Sequence, residues 1–177
     1  MHLIDIRIHN SRKTPKSIHH ARMGFTLIEI ILATSIFTMF FLSVSFFYKK
    51  ALDVSKDTTG HIQSGYFLEE GIEAIKLLRD QNWSSNITPL VPGATYYFHW
   101  DGSRWTATTT SELIENTYTR TFTIANVYRD SGDNIASAGT LDPGTKKVTV
   151  SVAWVRMGNK GVANDSAETY ITNLFNN

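Results

Sequence analysis

Hydrophobic and polar positions divide the chain into four stretches: 1–24, 25–48, 49–85 and 92–177. From Phe25 to Tyr48 run 24 residues without Pro, Gly, Lys, Arg or Asp, and Glu29 is the single charge among them. At about 1.5 Å rise per residue such a helix spans roughly 36 Å, enough to cross a hydrocarbon core of about 30 Å. Lys49 and Lys50 close the apolar run. A helical pattern continues over 49–85, with Ile62, Tyr66, Ile72, Ile75 and Leu78 recurring near the helical period. Glu69, Glu70, Glu73, Lys76, Arg79 and Asp80 take the polar side, and Glu73–Lys76 and Lys76–Asp80 are spaced to pair. Gly60 and Gly65 each cost about 1 kcal/mol against Ala in a helix interior, which predicts a bend or loosened turn around 57–65. Gly71, set among good helix formers, predicts close approach by another element. Asn82, Ser84, Ser85 and Pro89 end the helix.

From Pro92 the pattern changes to alternation. A short strand is predicted over Thr95–Trp100, and Asp101-Gly102 is a tight-turn signal into Arg104-Trp105-Thr106. Tyr118–Tyr128 alternates Tyr118, Arg120, Phe122 and Ile124 on one face. Asp130 opens a loop expected to run to Asp142-Pro143-Gly144. Lys146–Met157 puts Val148, Val150, Val152 and Trp154 on one face, Gly158–Gly161 reads as a turn, and Thr169–Phe175 as a returning strand. Four strands, mostly antiparallel, can bury one face against the amphipathic half of the helix. The expectation is an α+β fold: a long N-terminal helix, half apolar and half amphipathic, with a small β-rich head over 92–177.

Charge adds an orientation. Residues 1–24 hold Arg7, Arg12, Lys13, Lys16 and Arg22 against Asp5, a net of +4, while the remaining 153 residues carry a net of −3. A basic segment before an apolar span reads as positive-inside, leaving the C-terminal bulk outside the cytoplasm. The mildly acidic remainder argues against nucleic-acid binding. There is no cysteine, hence no disulfide framework.

Glu29 needs an explanation, because a carboxylate inside a bilayer span costs on the order of 2–4 kcal/mol without a partner. The stretch Gly24-Phe25-Thr26-Leu27-Ile28-Glu29 resembles the type IV prepilin N-terminus. That resemblance implies cleavage after Gly24 by a membrane-embedded prepilin peptidase and N-methylation of Phe25, with 1–24 as a discarded leader. It also implies assembly through Phe25, Thr26, Leu27, Ile28 and above all Glu29, whose carboxylate would pair with the N-terminal ammonium of a neighbouring subunit. Such a pair in a low-dielectric bundle is far stronger than in water. The leader is longer than in many type IVa prepilins, so 1–24 is an upper limit and an internal start stays open.

A second stretch, Gly65 to Trp83, resembles a block of the PilV-like minor pilins, carried by Glu70, Gly71, Glu73, Arg79, Asp80 and Trp83. An amphipathic helix packed on a sheet explains its apolar positions equally well. Two departures from the pilin pattern stand out. Many Gram-negative pilins carry a disulfide, and Phe46 occupies the place where the family often has a helix-kinking Pro.

Candidate chemistry in the head is sparse. His2, His9, His19 and His20 fall in the expected leader, leaving His61 and His99, too few for a His-rich zinc site. No nucleophile elbow, phosphate loop or dinucleotide fingerprint is present. Asp130, Asp133 and Asn134 form a weak calcium candidate, without the EF-hand spacing or its terminal Glu, and a solvated turn is the simpler reading. Tyr96, Phe98, Trp100, Trp105 and Trp154 could form a carbohydrate or partner platform, or serve as core.

The expected protein is no enzyme and takes no cofactor. It is a structural subunit, a minor pilin or a type II secretion pseudopilin, held in the inner membrane before joining a periplasmic or extracellular filament. Its expected partners are the membrane, other pilin subunits, the prepilin peptidase and an inner-membrane assembly platform. The alternative is a single-pass anchored extracytoplasmic module recognising a surface polymer, which would keep its basic N-terminus. A secretory signal peptide fits less well, because the apolar run is too long and no small-x-small cleavage site follows.

Overall fold

The computed structural model describes residues 24–156 and 161–175. Its contacts divide into two units, one up to Phe46 and one from Phe47 onward. Helix α1 (Leu27–Gln81) runs through both.

In the first unit every described side chain is exposed, including Ile28, Ile31, Phe37, Phe40 and Phe41. The helix start is long and apolar enough to cross a membrane. Four of its hydroxyls are bonded to its own backbone. Thr34 Oγ1 donates to Ile30 O at 2.9 Å, Ser35 Oγ to Leu32 O at 2.8 Å, Thr38 Oγ1 to Thr34 O at 2.7 Å and Ser43 Oγ to Met39 O at 2.9 Å. Such back-bonding lets small polar residues sit in hydrocarbon without an outside partner.

The second unit is α+β. All strand pairs are antiparallel, in the order β2 (Trp105–Thr108), β1 (Thr95–Trp100), β4 (Tyr118–Arg129), β6 (Thr140–Val155) and β7 (Val162–Thr172). Two-residue strands β3 (Leu113–Ile114) and β5 (Ile135–Ala136) also pair with β4. The expected faces of β4 and β6 are buried: Tyr118, Arg120, Phe122 and Ile124 on one, Val148, Val150, Val152 and Trp154 on the other. Phe122, Ile124, Val148 and Val150 cluster with Ala74, Ile75 and Leu78 of α1 and with Trp83 and Ile87, whereas Tyr118, Val152 and Trp154 form a second cluster against Phe67 and Leu68.

Several expected boundaries are corrected. Helix α1 stays α-helical through 57–65, the region where Gly60 and Gly65 predict a bend or loosened turn. It ends at Gln81, where extended Asn82 caps a separate short helix α2 (Trp83–Asn86), its side chain accepting from Ser85 N. Of the expected apolar stripe, Ile62 and Tyr66 are exposed, at 56% and 65%. Ile75 and Leu78 of that stripe are buried as expected, together with Gly60, Ser64, Gly71 and Ala74. The sheet lies too close for larger groups: a Cβ on Gly60 would stand 2.7 Å from Trp154 Nε1, and one on Gly71 2.8 Å from Val150 Cγ1. Glu73 and Lys76 pair at 2.6 Å, while Asp80 pairs with Arg79 at 2.6 Å.

The loop expected over 130–144 is shorter. Strand β6 starts at Thr140, and the Asp142-Pro143-Gly144 signal falls at a register shift, where Asn126 faces Lys146 and Val127 faces Asp142. A bulge absorbs the proline, as it must inside a ladder. The last strand runs over Val162–Thr172 and not Thr169–Phe175. The expected turn over Gly158–Gly161 lies outside the described residues apart from Gly161, whose carbonyl accepts from Arg156 N at 2.9 Å.

Candidate functional site

Gly24, Phe25 and Thr26 precede α1, and Leu27, Ile28 and Glu29 form its first turn. All six are exposed. The first helical bonds are Glu29 N to Thr26 O at 3.0 Å and Ile30 N to Thr26 O at 3.2 Å. Thr26 is therefore the N-cap residue, and Phe25 lies one residue outside the helix. The spacing of Phe25 and Glu29 is thus not a full helical turn in this chain.

Those bonds place a second pattern that the sequence reading missed. With Thr26 as N-cap, Glu29 is the third helical residue, and Thr-x-x-Glu is the sequence form of a capping box. Phe25 and Ile30 flank it at the positions of a hydrophobic staple. The signal was legible in the letters alone. An acid in the first turn also meets the positive end of the helix dipole, worth about 0.3–1 kcal/mol. Glu29 thus has a local role at the helix start in addition to any partner.

Among the described residues nothing lies within 4 Å of where a Cβ on Gly24 would be. Packing among the described residues does not require a glycine there. The Gly24–Phe25 peptide is accessible.

The second block of the helix is used differently. Glu70 pairs with buried Arg120 at 2.7 Å, Gly71 lies under Val150, and Trp83 is buried. These three residues hold α1 on the sheet.

Asp130, Asp133 and Asn134 form the turn between β4 and β5. Asp130 Oδ1 accepts from Gly132 N at 2.8 Å and Asn134 N at 2.9 Å, which holds this carboxyl below the usual range. Asp133 O accepts from Arg129 Nη1 at 2.8 Å. These oxygens close the turn. Among the described residues no cluster of three or more His, Cys, Asp or Glu could hold a metal.

His61, Ser64 and Asp165 meet between α1 and β7. His61 Nδ1 is 2.9 Å from Asp165 Oδ2, and Ser64 Oγ donates to the same carboxylate and to His61 O. The hydroxyl faces the acid rather than the imidazole, so the three residues are not in the order of a Ser-His-Asp triad. His99, on the opposite sheet face from Phe98, pairs with Glu112 at 3.0 Å.

No protein-family model matches the chain, and neither a curated protein nor a solved structure does.

Proposed function

We propose that the chain is a prepilin-like structural subunit, a minor pilin or pseudopilin of a type IV pilus-like or type II secretion filament. One observation carries this reading: Gly24 to Glu29 sit, accessible, where a basic segment gives way to a helix of membrane-spanning length. Packing among the described residues does not call for a glycine at 24, which supports a role for it in recognition by the peptidase. Cleavage would leave a cationic amine on Phe25, beside the capped turn that holds Glu29.

The mechanism is assembly, without a reaction of the subunit's own. The basic N-terminus sets the head outside the cytoplasm, and the apolar half of α1 holds the chain in the inner membrane until it is extracted. In a bundle of such helices Glu29 needs a cation, and the amine of an adjacent subunit supplies one only in a fixed stagger. Register then follows from charge, while the apolar surface of 25–48 supplies contact area.

Glu29→Gln separates this role from capping, because the amide keeps a capping side chain and loses the charge. Both Glu29→Gln and Glu29→Ala should insert in membranes normally and enter filaments about tenfold less or worse, since an uncompensated buried charge costs several kcal/mol. Normal incorporation of Glu29→Gln would leave the residue only its local role and overturn the proposal.

A further inference from the structure

The helix-facing side of the sheet is wider than the helix. Where α1 lies on β4 and β6, the face is closed by Gly71 against Val150 and Arg120. Strands β1 and β2 continue that face with Phe98, Trp100 and Trp105, as the pairs Tyr96–Phe122 and Trp100–Trp105 require. Beside the helix a cavity of about 230 Å³ opens there, with Glu70 and Glu112 on its walls, Trp100 and Trp105 at one side, and Phe98 and Arg120 also lining it.

Each of these groups has a distinct state. Trp100 is 49% exposed, yet its ring is fixed edge-on to Trp105 at 5.4 Å. Arg120 is 4% exposed and lies over the rings of Phe98 and Trp105, at 5.1 and 5.3 Å. Its Nη1 donates to Phe67 O and Glu70 Oε2, whereas Nε is buried and, among the described residues, has no hydrogen-bond partner. Glu70 and Glu112 are both about half exposed, and Glu112 Oε2 also meets His99 Nδ1 at 3.0 Å, leaving Oε1 for the cleft. The site therefore offers an apolar ring face, carboxylate acceptors and a guanidinium short of acceptors.

Charge narrows what can enter. An anion would gain Arg120 but meet two carboxylates, and a cation would gain the carboxylates but meet a buried guanidinium. A purely apolar group would desolvate all three ions without replacing their hydrogen bonds. A hydroxyl donates and accepts at once. A neutral ring with hydroxyls on its edge and C–H bonds on its face satisfies every group present.

We propose that this cleft binds a neutral saccharide unit, one sugar ring stacked on Trp100, its hydroxyls donating to Glu112 and Glu70 and an oxygen accepting from Arg120. The volume lies below the roughly 300–1,000 Å³ of sites for drug-sized ligands, which sets the occupant at a single ring. This assignment rests on the head alone and is independent of the filament reading.

The test uses the full chain in phosphocholine micelles, free of glycoside detergent, titrated with the methyl glycosides of glucose, galactose, mannose and N-acetylglucosamine. Indole N–H resonances report the site, with Trp83 and Trp154, both buried elsewhere, as internal references. At least one neutral glycoside should shift Trp100 and Trp105 saturably and leave the references in place. Trp100→Ala, read at Trp105, and Glu112→Gln should each weaken binding by about tenfold, with the reference signals unchanged. Three results would overturn the proposal: no saturable shift with any neutral glycoside, unchanged affinity in Trp100→Ala, or tighter binding of glucuronate or glucosamine.

Discussion

Gly71 of α1 and Val150 of β6 are so close that a Cβ on the glycine would lie 2.8 Å from the valine Cγ1, with Arg120 Cδ at 3.1 Å on the other side. Helix propensity favours Ala there by about 1 kcal/mol, but overpacking a tight core costs about 1–3 kcal/mol. Gly71→Ala should therefore destabilise the head. Gly65 is exposed with nothing within 4 Å of its Cβ position. Gly65→Ala should stabilise by up to about 1 kcal/mol. Denaturant unfolding of the two variants measures the difference, and equal stabilisation by both would contradict this packing.

Glu70 is the ionic partner of a buried Arg120. Removing it leaves a guanidinium in the core with a lost charge-assisted bond, which should cost about 1–3 kcal/mol, moderated because Glu70 itself reaches solvent. Arg120→Met should largely cancel that cost in the double variant, since an apolar side chain of similar length needs no partner. A double-mutant cycle by thermal unfolding checks the coupling. Strictly additive losses would show that the pair contributes nothing as a pair.

Much of this architecture was legible in alternation. The inward faces of β4 and β6, the Asp101-Gly102 turn and the apolar run all follow from the period of their residues. What escaped has a common physical cause. Where α1 touches the sheet most closely, contact is made by Gly60, Ser64, Gly71 and Ala74, residues with little or no apolar side chain, so the period of large hydrophobic groups finds Ile75 and Leu78 but also the exposed Ile62 and Tyr66. Strand β7 hides for a related reason: its inward positions Ala163, Asp165, Ala167, Thr169 and Ile171 include only one large apolar group. At the N-terminus Glu29 is a single charge in an apolar run, which masks the Thr-x-x-Glu capping-box pattern that it completes with Thr26.

Acid should weaken the head through Asp165. Burial raises the affinity of this carboxyl for a proton, but hydrogen bonds from Ser64 and His61 outweigh it and hold the group below its ordinary value, with Arg156 assisting. A carboxyl depressed in the folded state adds stability above its unfolded value, about pH 4, and loses it as pH falls through the folded value. Asp142, lowered chiefly by Arg129, acts in the same direction. Thermal midpoints should therefore drop on acidification below about pH 4, and more shallowly in Asp165→Asn. An identical acid slope in that variant would remove Asp165 from the account.

The most direct test of the central claim is the N-terminal mass of the chain recovered from membranes of a host with an active prepilin peptidase. A polypeptide beginning at N-methylated Phe25 is the result the filament reading predicts. Recovery of a chain that keeps its basic N-terminus beside a peptidase shown to be cutting other prepilins would contradict it, and would favour a single-pass anchor carrying a binding head.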